Sequence, residues 1–68
     1  MTNTSLLEKY IKKSGYKKSF IADQLGITAY SFTLKVNNKS EFKASEMATL
    51  CRLLKIDAED KEAIFFAV

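Results

Sequence analysis

Lys18-Ser19-Phe20-Ile21-Ala22-Asp23-Gln24-Leu25-Gly26-Ile27-Thr28-Ala29-Tyr30-Ser31-Phe32-Thr33-Leu34-Lys35-Val36 decides the fold of this chain. A short run with one apolar face ends on Leu25-Gly26. Ile27 and Thr28 follow at once, Thr28 being a good N-cap, and a second helical run opens at Ala29. Such a join turns one helix into the next at a steep angle. Ala22 is small where the second helix must pass close over the first, and Gly26 can take the positive φ that closes a helix. Ile21, Leu25, Ile27 and Phe32 are spaced to fill the wedge between the two.

This corner looks like a helix-turn-helix, whose second helix enters the DNA major groove. It resembles the lambda-repressor/Cro-type family of phage and bacterial regulators over roughly Leu6 to Leu54. The family's pattern has a polar residue opening helix 2, a small residue four positions on, Gly in the turn and apolar residues flanking it. Lys18, Ala22, Gly26, Leu25 and Ile27 occupy those places. The family often has Gln where Lys18 stands, so a side chain that commonly braces phosphate and base is here a plain cation. It also often has an apolar residue where Lys35 stands. Val36, four after Phe32, is expected to fill the core instead, leaving Lys35 a solvated or phosphate-facing cation. The resemblance implies an all-α, five-helix lambda-repressor-like domain spanning 1–68, with the helix-turn-helix formed by helices 2 and 3.

Size and composition agree with one small domain. A chain of 68 residues buries only about 60% of its unfolded surface and needs good packing or a partner. With 47% hydrophobic residues it has apolar mass for one core, and with no Pro and two Gly it favours helix. No run approaches the roughly 18 apolar residues of a membrane span, and Met1-Thr2-Asn3 leads into no apolar signal core, so the expected location is cytoplasmic. Cys51 is alone and the chain has no His, which leaves no disulfide or zinc constellation. Cys51 is expected to be a small buried hydrophobe between Leu50 and Leu54. Without His a Ser or Cys nucleophile lacks its usual base, and no glycine-rich phosphate loop is present, so the chain is not expected to be an enzyme or to hold a cofactor or metal.

The remaining helices read from their caps and periodicity. Ser5 with Glu8 predicts a capping box for a helix over Leu6 to Ser14, burying Leu6, Leu7, Tyr10 and Ile11 and closed by Gly15. Helix 2, about Lys18 to Leu25, buries Phe20 or Ile21 with Leu25. Helix 3 covers about Ala29 to Val36. Asn37-Asn38-Lys39-Ser40 is a turn in which Asn38 can go left-handed, and Phe42 returns to the core. Met47, Leu50, Cys51 and Leu54 stripe a helix over Ala44 to Leu54. Asp57 with Asp60 starts a last one, Ala58 to about Ala67.

Charge is uneven. Residues 1–43 carry eight Lys against Glu8, Asp23 and Glu41, a net of +5, while residues 44–68 net −2. The basic part coincides with the helix-turn-helix, the footprint expected of a DNA-binding face. In the resembling geometry, Ala29, Tyr30, Thr33 and Leu34 would meet base edges. Lys17, Lys18, Thr28, Asn37, Lys39, Ser40 and Lys43 would flank the phosphates. That reading surface has no Arg or Gln, so bidentate contacts to guanine or adenine are not available from it. Tyr30 and Thr33 offer single hydrogen bonds, and Ala29 and Leu34 can pack on thymine methyls.

Ile64-Phe65-Phe66-Ala67-Val68 is the remaining apolar mass. Adjacent helical residues point about 100° apart, so Phe65 and Phe66 cannot both face the core. Phe65, Phe66 and Val68 therefore read equally as core closure and as a homodimer surface, with Phe66 the candidate outward ring. The leading expectation is a Cro-like regulator binding operator DNA as a weak homodimer. The alternative is a helical protein–protein interaction module, an antirepressor or adaptor, of the same fold.

Overall fold

Five helices follow one another without a strand among the described residues, 1–66, of the computed structural model: α1 Thr4–Ser14, α2 Lys18–Leu25, α3 Ala29–Val36, α4 Ala44–Leu54 and α5 Ala58–Phe65. They enclose one core, built from Leu7 and Ile11 of α1, Ile21 and Ala22 of α2, Phe32 and Val36 of α3, Leu50 and Leu54 of α4, Ile64 and Phe65 of α5, and the loop residues Phe42 and Ile56. α2 packs on α3 and α4, and α1 touches α3, α4 and α5. Among the described residues no helix is long and apolar enough to cross a membrane.

The local signals explain most boundaries. Thr28 Oγ1 accepts the Ser31 N–H at 3.0 Å and caps α3, and Asp57 Oδ1 accepts the Asp60 N–H at 2.7 Å and caps α5. Gly26, at φ 74°, closes α2 with paired bonds: its N–H reaches the Asp23 carbonyl and the Ile27 N–H reaches the Ala22 carbonyl, both at 3.0 Å. This is a Schellman closure, and its positive φ is the reason a glycine stands there. Asn38 adopts the left-handed conformation at φ 64°. Lys55 does the same at φ 56° to end α4, a side chain that carries no sequence cue for that conformation.

Two expectations at the ends of the chain are corrected. α1 starts at Thr4, capped by Asn3, whose side-chain oxygen accepts the Leu6 N–H at 3.2 Å. The Ser5–Glu8 box does not form. Asn3 is held in place because its own N–H donates to the Ile64 carbonyl at 2.6 Å, and Glu8 turns to Lys18 instead. Phe65 packs inward, edge-on to Phe42 with ring centroids 5.6 Å apart, and Phe42 meets Phe32 in the same manner at 6.1 Å. This file of rings ties α5 to α3, each pair contributing about 0.5–1.5 kcal/mol beyond its buried area. Phe65 is thus core, not partner surface. Phe66 faces out and is 56% exposed. Val68 lies outside the described residues.

Elsewhere the choices left open by periodicity are resolved. Ile21 is fully buried, whereas Phe20 is exposed and tilts against Tyr16 with ring centroids 5.0 Å apart. Leu7 and Ile11 are buried while Leu6 and Tyr10 are half-buried. The Tyr10 hydroxyl donates to Asp60 of α5. That hydrogen bond, then burial, then the charges of Asp60 and Asp57 push the Tyr10 hydroxyl up to about 12. Cys51 is half-buried rather than fully buried, and burial pushes its thiol up despite the nearby Lys61 charge.

Candidate nucleic-acid interface

The α2–α3 corner sorts its side chains by face. Ile21, Ala22, Phe32 and Val36 are each no more than 1% exposed and fill the wedge. On the other side of α3, Ala29, Tyr30 and Thr33 are exposed, Tyr30 at 73%. Positions 29, 30 and 33 are one and three residues apart, so they share one outer stripe of the helix. Leu34, expected beside them, is half-buried and offers only part of its side chain.

Two polar shoulders, one before α3 in the chain and one after it, are exposed as well. One is the start of α2, where Lys17 stands at the N-cap and makes no side-chain cap, leaving the first N–H groups of the helix without a side-chain acceptor. Lys18 follows, with its ammonium 3.0 Å from Glu8 Oε2. Both partners are over a third exposed, so the pair is weak and screened by salt. Thr28 is exposed too, with its hydroxyl oxygen engaged by the Ser31 N–H.

The second shoulder is the loop 37–43. Asn37, Lys39, Ser40 and Lys43 are all exposed, so every predicted phosphate-contact side chain is accessible to solvent. The loop's entry is fixed by the Asn37 N–H on the Thr33 carbonyl at 3.1 Å and the Lys39 N–H on the Leu34 carbonyl at 2.8 Å. Among the described residues the ion pairs are Lys18–Glu8 and Lys35–Glu46, so Lys17, Lys39 and Lys43 carry charge that no carboxylate offsets at contact.

Lys35 is the correction within this region. Expected to be solvated or phosphate-facing, it is 7% exposed and lies behind α3. Its ammonium donates to Glu46 Oε1 at 2.6 Å, and the same oxygen accepts the Lys43 N–H at 2.8 Å. Burial alone would raise the Glu46 carboxyl. The hydrogen bonds from Lys35 and from the Lys43 backbone, with the charges of both lysines, outweigh it and hold the carboxyl below its ordinary value. Sequence reasoning missed Glu46 altogether. The available signal was an acidic residue at the third position of α4, next to a lysine at an apolar register of α3.

A groove of about 370 Å³ lies beside the exposed Phe66 ring, lined by the apolar Met1, Phe42, Met47, Phe65 and Phe66 and by the polar Thr2, Asn38, Ser40 and Glu41. It adjoins the loop 37–43 and includes the exposed ring of Phe66, the residue that follows α5.

The chain belongs to the DUF739 family, described as a protein of unknown function, whose sequence profile matches residues 2–68. No curated protein matches the chain, and no solved structure does.

Proposed function

We propose that α2 and α3 form a helix-turn-helix and that the chain is a sequence-specific DNA-binding transcription regulator of Cro or short-repressor type. In this reading it acts in the cytoplasm on operator DNA. One observation carries it: α3 exposes Ala29, Tyr30 and Thr33, and exposed lysines and amides stand before it at the start of α2 and after it in the loop 37–43, while the opposite face of the same corner is sealed into the core. A duplex needs that order, base edges at the centre and phosphates on either side.

Tyr30 and Thr33 supply the hydrogen bonds to bases, and Ala29 supplies apolar contact, with the exposed edge of Leu34 beside it. Lys17, Lys18, Lys39 and Lys43 supply charge to the phosphates, with Thr28, Asn37 and Ser40 as neutral donors. Because no Arg or Gln reads the groove, specificity draws on shape and on the spacing of two half-sites. The groove beside Phe66 supports a weak homodimer that places two copies of α3 about one helical turn apart.

The test is a salt titration of binding to duplex DNA. Log K should fall linearly with log salt, with a slope of about −0.9 per phosphate neutralised. Binding with no salt slope, or none to any duplex at low salt, sinks the proposal and favours a helical module that engages a protein partner through the groove beside Phe66.

A further inference from the structure

We infer that the buried Lys35–Glu46 pair is a positioning device: it sets how α3 is turned and how the loop 37–43 sits beside it. The inference deepens the DNA-binding reading above and rests on it.

Lys35 and Glu46 are 11 positions apart in sequence, and their side chains are 8% and 6% exposed. Glu46 Oε1 receives both the Lys35 ammonium and the Lys43 N–H, so one atom joins the back of α3 to the last residue of the loop. The other end of the loop hangs from α3 through the Leu34 carbonyl. The segment bearing Asn37, Lys39, Ser40 and Lys43 is therefore fastened to α3 at both ends.

Stability is a poor explanation for this pair. Burying two charges costs desolvation, and an apolar pair of similar volume is often as stable or more so. An ammonium–carboxylate contact has a direction that apolar packing lacks. At about 100° per residue, Lys35 projects about 140–160° away from Tyr30 and Thr33 around the helix axis. Anchoring Lys35 thereby fixes where those two side chains point. If α4 slides or α3 rotates, the bond from Lys35 to Oε1 breaks, and Glu46 is left holding the Lys43 N–H alone.

The experiment compares the wild-type chain with Lys35→Met/Glu46→Gln, which keeps an acceptor for the Lys43 N–H, and with Lys35→Met/Glu46→Met. The probe is a pool of short duplexes with randomised interiors, enriched on the wild type, together with a scrambled version of an enriched duplex. Amide hydrogen exchange of residues 37–43 is followed in the free protein. The expected result is folded variants whose affinity for the enriched duplex falls roughly tenfold while the scrambled duplex binds as before. Loop amides should exchange roughly tenfold faster in the same variants.

Folded variants that keep the wild-type preference overturn the inference, whether or not the loop exchanges faster. Failure of both variants to fold assigns the pair to stability alone and also overturns it. A wild type that enriches no duplex at low salt overturns the DNA-binding reading itself, which separates that failure from this one.

Discussion

Asn38 grips the Thr2 peptide from both sides, its Oδ1 accepting the Thr2 N–H at 2.7 Å and its Nδ2 donating to the Thr2 carbonyl at 2.7 Å. It does so from a left-handed backbone, at φ 64°. Thr4, the first residue of α1, adds a hydroxyl bond to the Val36 carbonyl at 2.6 Å, so the N-terminal segment and the start of α1 are laced to the end of α3. A glycine would hold the conformation and lose the side-chain bonds, whereas an alanine would lose both. Asn38→Ala should therefore be less stable than Asn38→Gly by about 1 kcal/mol. Denaturant melts of the two variants measure the difference, and equal stabilities would mean that the backbone conformation is not what this residue supplies.

Ala22 is 1% exposed beneath the crossing of α2 and α3. Ala22→Leu has no room to place its extra carbons without moving α3, and should cost about 1–3 kcal/mol. In a domain this small that is a large share of the total. A melting temperature equal to the wild type's would show that the two helices do not meet closely at this residue.

Lys17 precedes α3 and Lys39 follows it, both exposed and, among the described residues, without a contacting carboxylate. Replacing both by Ala should weaken binding to specific and random duplexes alike and reduce the salt slope by about two. Glu8→Gln should act in the opposite sense by releasing Lys18 from its 3.0 Å pair. Gel shifts across a salt series report both changes, and unchanged slopes in the double variant would place the DNA face elsewhere.

Acid should act through Glu46. Its carboxyl lies below its ordinary 4.5 in the folded chain, so its stabilisation is complete above about 4.5 and is lost as pH falls through the folded value. The gap in melting temperature between the wild type and Glu46→Gln should be constant near neutrality and close below pH 4.5. A gap that persists at the acid end would show that the carboxylate charge is not what Lys35 requires. Tyr10 behaves in the reverse direction. Its hydroxyl is raised from 10.0 to about 12, so its bond to Asp60 stabilises fully below 10 and fades as pH rises through 12. Tyr10→Phe should remove that alkaline limb from a tyrosinate absorbance titration.

Phe66 is the ring of the Phe65–Phe66 pair that faces out once Phe65 has closed the core. Under the proposed homodimer, in which one operator would hold both subunits together, Phe66→Glu should leave the monomer folded and abolish cooperative binding to paired half-sites. Sedimentation and gel shifts on single and paired sites decide the matter. A variant that unfolds would make Phe66 structural, and one that still dimerises would move the interface.

What the sequence by itself determined was carried by near neighbours in the chain. Thr28 caps α3 and Asp57 caps α5 through bonds to amides three residues on; Gly26 and Asn38 take left-handed turns; Leu50 and Leu54 mark the buried stripe of α4. Caps, turns and helical periodicity act within one or two turns of helix, so composition and spacing report them. Tertiary structure decided each case in which two local solutions were equivalent. Ile21 rather than Phe20, and Phe65 rather than Phe66, turn inward because the space they fill is defined by other elements: for Phe65, by the Phe42 ring. Asn3 displaces Ser5 as the cap of α1 because the Ile64 carbonyl holds it there. Lys35 is buried because Glu46, on another helix, supplies the charge that makes burial tolerable. Those partners are distant in sequence, and their energies exist only once the chain has closed.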